Sequence, residues 1–162
     1  MNEQQYLSVL NWCRTNKTKE KLLTLLCRYS PISVIIVYIG MISYLVIQHD
    51  PRLIKVLLYP FLALLTITLM RKLYNCPRPA DIYSIQPLIE HHQGESFPSR
   101  HTGSAVIIAF SCLYISYPLG LLCFIIALYV GVSRVIAGVH FIKDVVAGAA
   151  ISTVLGILMF IL

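Results

Sequence analysis

The chain alternates long uncharged apolar stretches with short polar ones. Residues 29–48, YSPISVIIVYIGMISYLVIQ, carry no charged side chain, and a bilayer core requires about 20 such residues in a helix. The pattern predicts a spanning helix there, beginning near Pro31. Residues 53–70 predict a second span. Arg52 and Lys55 near its start can reach the interface on their long stems, and Pro60 is tolerated inside a membrane helix. No charge occurs between Thr102 and Ser133. That stretch suits two short helices, with SYPLG (116–120) as the turn between them. Residues 145–162 predict the last of five spans.

Residues 1–28 differ. Leu7, Leu10, Leu22, Leu23, Leu25 and Leu26 alternate with Arg14, Lys17, Lys19, Glu20, Lys21 and Arg28. Such a segment is too charged to span and predicts two short interfacial helices, broken around RTNKTK. The expected fold class is all-α integral membrane: a bundle of about five transmembrane helices (29–162) with N-terminal interfacial amphipathic helices (1–28), together one membrane-embedded domain. The start, MNEQQ, has no basic region followed by an apolar core, so no cleavable signal is expected.

Composition agrees with this reading. Of 162 residues, 57% are hydrophobic and only 12% charged, against about 25% in soluble domains. The net charge of +6 raises nucleic acid as a partner, but no basic run comes with the signature of a binding module. Membrane anchoring plus an anion site fits better, and no nucleic-acid partner is expected. Cys13, Cys27, Cys76, Cys112 and Cys123 are odd in number and widely spaced, which suits neither a disulfide framework nor a zinc site.

The polar segments 71–100 and 134–144 fall on one membrane face if five spans alternate, and residues 1–28 fall there too. That face collects RKLYNCPRP (71–79), PSRH (98–101) and SRVIAGVHFIKD (133–144). They supply the cations Arg71, Lys72, Arg78, Arg100 and Arg134, and the imidazoles His101 and His140. Asp144 follows His140 by four residues, which on a helix would share its face. A carboxylate on one imidazole nitrogen fixes the tautomer and leaves the other as nucleophile or base. Guanidinium forks bind phosphoryl oxygens in pairs. The set reads as phosphoryl transfer without metal or cofactor: one histidine attacks and the other protonates the leaving oxygen. The arginines supply the charge that metal ions supply elsewhere.

Competing patterns fail. Cys76 would need an arginine at position 82, which is Ile82, to form a cysteine phosphatase motif, and the chain has no Gly-Lys pair for a P-loop. EHHQGE (90–95) reads as a solvated loop or lid. Ser99 is a natural N-cap, a role compatible with anion binding at a helix start. Gly148, Ser152 and Gly156 recur every fourth position, as close helix packing requires.

In combination the three segments resemble the signature motifs of the type-2 phosphatidic acid phosphatase superfamily. Ser133, Arg134, His140 and Asp144 match its Ser-Arg-x5-His-x3-Asp motif in full. Pro98, Ser99, Arg100 and His101 match Pro-Ser-Gly-His with arginine in place of glycine. Arg78-Pro79 closes a Lys-x6-Arg-Pro motif whose first cation is Arg71 by spacing, with Lys72 one position late. The resemblance implies a membrane lipid phosphatase. His140 would form a phosphohistidine, Asp144 would orient it, and His101 would protonate the leaving group. Arg71 or Lys72, with Arg78, Ser99, Arg134 and the backbone N–H of Arg100, would hold the phosphate.

The resemblance also implies a multi-pass cell-membrane protein with an extracytoplasmic active face. The positive-inside rule disagrees: Arg14, Lys17, Lys19, Lys21 and Arg28 would lie outside, against Arg52 and Lys55 inside. We adopt the outer face. Lys72, Arg100 and Lys143 are cations beyond the matched set and favour a substrate with two phosphates. Undecaprenyl diphosphate is therefore expected ahead of phosphatidylglycerol phosphate or phosphatidic acid. Transfer to an acceptor other than water stays open, and the rival of another class is a non-catalytic lipid-binding or transport protein.

Overall fold

Local signals in the sequence set the helix ends. Asn2 opens α1 (Glu3–Cys13) through a reciprocal cap with Gln5. Asn16 opens α2 (Lys17–Ile47) by accepting from the Thr18 N–H at 2.8 Å. Five further helices follow in the computed structural model, which describes residues 1–90 and 93–162: α3 (Leu53–Tyr74), the single turn α4 (Pro79–Ile82), α5 (Arg100–Ile115), α6 (Tyr117–Ile136) and α7 (Ile142–Ile161). Helices α2, α3, α6 and α7 are long and apolar enough to cross a membrane. At 16 residues α5 is shorter, and it lies innermost, packed on α2, α3, α6 and α7.

The five expected spans correspond to α2, α3, α5, α6 and α7, and the N-terminal segment is a correction. Only α1 is a separate short helix. The second expected interfacial helix is the first half of α2, which runs unbroken through Pro31. A proline inside a helix leaves the carbonyl four residues earlier without its N–H partner. Here that carbonyl, on Cys27, accepts from the Arg134 guanidinium instead. Pro60 in α3 is accommodated in the same way, because the Tyr38 hydroxyl donates to the freed Val56 carbonyl at 2.8 Å. A partner for the orphaned acceptor removes the reason for the helix to stop.

The bundle core lies between α2, α3, α5 and α6, around Val34, Leu45, Val56, Ala109 and Val130. A second cluster joins Tyr6, Leu10 and Cys13 of α1 to Cys27, Ile85, Leu88, Ala137 and Val139. The apolar stripe of α1 is therefore packed against the loops at the polar end of the bundle. Small residues bring α5 and α7 together: a Cβ on Gly148 would lie 2.5 Å from the Ser99 carbonyl oxygen.

Gly148→Ala is accordingly expected to lower stability by about 1–3 kcal/mol, as overpacking does, read as a fall in Tm in detergent. Gly40→Ala, whose new methyl meets nothing within 4 Å, is the control and should match or exceed wild type.

Candidate active site

The polar end of the bundle is assembled from three segments. The first runs from the end of α3 through α4, the second leads into α5, and the third is the α6–α7 turn. Backbone hydrogen bonds bind them: Ser96 N–H to Cys76 O at 2.8 Å, Leu88 N–H to Ala137 O at 3.0 Å, and Ser99 N–H to Asp144 O at 2.8 Å. After α6 the chain reverses at Gly138, whose φ of +75° an L side chain rarely adopts. That reversal delivers His140 to the wall of a cavity of about 380 Å³. Arg71, Arg78, Arg100, His101, Arg134 and His140 line it, together with Glu90, Gln93, Gly94 and Glu95.

His140 and Asp144 meet, but not as helix-face neighbours. His140 precedes α7, and Asp144 sits in its first turn, where the helix dipole favours an anion. Asp144 Oδ2 accepts from the Phe141 N–H at 2.9 Å and the Ser96 hydroxyl at 2.5 Å, and lies 3.4 Å from His140 Nδ1. His140 Nδ1 is also 3.3 Å from Ser96 Oγ. His140 is 2% exposed and Asp144 0%. Burial pushes the His140 imidazole below its ordinary range, against the pull of the Asp144 carboxylate. A neutral ring with Nδ1 engaged leaves Nε2 its nucleophilic nitrogen.

The arginines are anchored to backbone carbonyls. Arg71 Nη1 donates to Pro98 O at 3.2 Å, and its Nη2 lies 3.6 Å from the half-exposed Glu95 carboxylate. Arg78 donates from Nε to Gly94 O at 3.0 Å and from Nη1 to Val139 O at 3.2 Å. Arg134 donates to Cys27 O, and among the described residues its buried Nε has no partner. Apart from Glu95 beside Arg71, these acceptors are neutral and leave the charge in place, so a cavity with four arginines against Glu90 and Glu95 stays cationic.

Other expected residues fall elsewhere. Lys72 is exposed and does not line the cavity, because one helical step turns it away from Arg71. Lys143 is also exposed, with Nζ 5.4 Å from the Phe141 ring centroid. Ser99 stands at the N-cap of α5, but its hydroxyl pairs with Thr102 Oγ1 at 3.0 Å instead of capping the helix, and it is fully buried. His91 and His92 of the expected lid lie outside the described residues. Among those described, no three His, Cys, Asp or Glu side chains group to hold a metal ion.

Two residues escaped the sequence reading. Ser96 stands two positions before the second motif, with no spacing to mark it. The fully buried Tyr6 donates to the His140 carbonyl at 3.1 Å. Burial pushes its phenol up to about 12, so it stays a donor. Tyr6 shares the buried stripe of α1 with Leu10 and Cys13, a helical spacing that marks burial but not the target.

Membrane-length helices closed at one end by a cationic cavity define a multi-pass membrane protein with a site for an anionic group. Residues 52–162 match the PAP2 superfamily, and the chain belongs to that family. Undecaprenyl-diphosphatase BcrC of Bacillus subtilis (strain 168) is 33% identical over 92 residues, 57% of this chain and 48% of that protein. Lipid A 1-phosphatase of Rhizobium johnstonii is 37% identical over 71 residues, 43% of this chain and 28% of that protein. The chain thus spans about half the length, or less, of these curated relatives. In fold it is similar to Aquifex aeolicus LpxE, with a TM-score of 0.78 at 23% identity over 99% of this chain and 95% of that one. It is also similar to the first transmembrane PAP2 type phosphatidylglycerolphosphate phosphatase from Bacillus subtilis, with a TM-score of 0.69 at 23% identity over 98% and 82% of the two chains.

The geometry separates the adjacent cations Arg71 and Lys72. Arg71→Ala and Arg78→Ala should each weaken orthovanadate binding by about tenfold or more, the worth of a charged hydrogen bond. Lys72→Ala should leave it unchanged. Calorimetry on the detergent-solubilised protein measures all three.

Proposed function

We propose that this protein is a lipid phosphatase working through a phosphohistidine at His140. The observation that carries the reading is the buried His140–Asp144 contact beside a cavity lined by four arginines. The neutral His140 Nε2 attacks phosphorus, and the bond from phosphorus to the leaving oxygen breaks as His101 gives that oxygen a proton. Water then attacks the phosphohistidine, His101 takes back a proton, and the N–P bond breaks to release phosphate. The arginines gain strength as charge builds on the phosphoryl oxygens. Ser99 contributes by joining the start of α5 to Asp144, and Arg100 by lining the mouth of the cavity.

The substrate we propose is a polyprenyl diphosphate, undecaprenyl diphosphate foremost. The likeness to an undecaprenyl-diphosphatase supports it. Of the three cations beyond the matched motifs, Arg100 alone lines the cavity, so the preference for a second phosphate rests on that side chain and not on Lys72 or Lys143. A monophosphate glycerolipid is the alternative. We further propose that the site opens on the extracytoplasmic face.

Mutation, rapid quench and the pH profile test the phosphohistidine. His140→Ala should cut turnover on the order of 1000-fold or more, and rapid quench of wild type should trap acid-labile phosphate on His140. The acid limb of kcat/KM should report His140: activity falls as pH drops through its lowered pKa. Asp144→Asn removes a charge that raises that pKa, so the limb should move to still lower pH. Unimpaired His140→Ala would end the mechanism.

Arg100→Gly should cost about tenfold more in kcat/KM on a polyprenyl diphosphate than on the monophosphate. Equal losses would transfer the case to the glycerolipid. For the membrane side, Gln93→Cys in a Cys76→Ser background should react with an impermeant maleimide in intact cells. Protection until lysis would place the site inside.

A further inference from the structure

The residue match to the family begins at residue 52, yet α2, which ends before it, touches the machinery of the site. Pro31 lies within α2 and has no N–H to give to Cys27 O. Arg134 Nη2 donates to that carbonyl. The joint is dry: Cys27 is 2% exposed and Arg134 4%. It is also two-sided, since Cys27 Sγ donates to the carbonyl of Ser133, the neighbour of Arg134, at 3.6 Å.

The guanidinium is planar and its donors are fixed relative to one another. Holding one edge therefore sets the direction of the rest. Arg134 lines the cavity, and its Nε is buried without a partner among the described residues. A buried donor of that kind is costly unless an acceptor reaches it, and a phosphoryl oxygen in the cavity is one.

We propose that Pro31 is a positioning residue for phosphate recognition: by withholding a helix hydrogen bond from Cys27, it leaves a buried carbonyl that anchors Arg134 at the cavity wall. The inference rests on the proposed role of Arg134 as a phosphate ligand. Pro60 provides an internal comparison. Its freed carbonyl on Val56 is taken by Tyr38, away from the cavity, so the same device there serves packing alone.

The test compares orthovanadate affinity with thermal stability for the full chain in detergent. Pro31→Ala supplies an N–H that competes for Cys27 O. It should weaken vanadate about tenfold while Tm holds or rises, because the helix regains its own bond. Replacing Pro31 with lactic acid by nonsense suppression puts an ester where the N–H was, and should restore wild-type affinity. Pro60→Ala should leave affinity unchanged. A Pro31→Ala protein that binds vanadate like wild type, while Arg134→Ala does not, would overturn the positioning role alone. Unchanged binding in Arg134→Ala would overturn both this inference and the proposed role of Arg134.

Discussion

The Asp144 carboxylate is where the separate parts of this protein close on one another. It is completely buried, and an isolated buried carboxylate is expensive. One oxygen, Oδ2, is engaged from three directions: the Phe141 N–H of its own helix start, the Ser96 hydroxyl from the segment before α5, and the ring of His140. Among the described residues the buried Oδ1 has no hydrogen-bond partner. The main chain of the same residue accepts from the Ser99 N–H. One residue therefore joins the second polar segment to the third and holds the histidine in one orientation. The close approach of α5 and α7 at Gly148 lets this happen, because any side chain there would push the Ser99 carbonyl away.

The second constraint is how to keep several guanidinium groups together in an apolar bundle. Carboxylates would pair them but would also neutralise them. This fold uses backbone carbonyls instead: Pro98 for Arg71, Gly94 and Val139 for Arg78, and Cys27 for Arg134. A carbonyl satisfies a donor and fixes its direction while leaving the net charge in place. Among the described residues, the one carboxylate paired with these arginines is Glu95, and it is half exposed. An anion entering the cavity thus meets positive charge that is already ordered, which is the economical form of electrostatic recognition.

The N-terminal segment gains a definite place from the same logic. Helix α1 covers the loops at the polar end with Tyr6, Leu10 and Cys13. The Tyr6 hydroxyl ends on the His140 carbonyl, and Arg14 donates to Gln86 O at 2.7 Å. An amphipathic helix at a membrane interface normally places its apolar face in lipid. Part of that face here covers the protein, and the exposed Trp12, Leu22, Leu25 and Leu26 are left for the bilayer.

Membrane class and helix order were legible from the sequence because they depend on local composition. A run of apolar residues long enough for a bilayer forms a helix whatever its neighbours are. Motif spacing likewise brought out His140, Asp144, Arg78 and Arg134 without coordinates. Tertiary structure alone decided the rest. Arg71 faces inward and Lys72 outward because helix rotation against neighbours assigns the faces, and adjacent basic residues look alike in one dimension. The contacts of Ser96 and Tyr6 with the His140–Asp144 unit join positions 44 to 134 residues apart. The course of α2 through Pro31 is invisible in the local sequence for the same reason. A proline ends a helix when its orphaned carbonyl finds no partner, and the partner here, Arg134, lies 107 residues away in the chain.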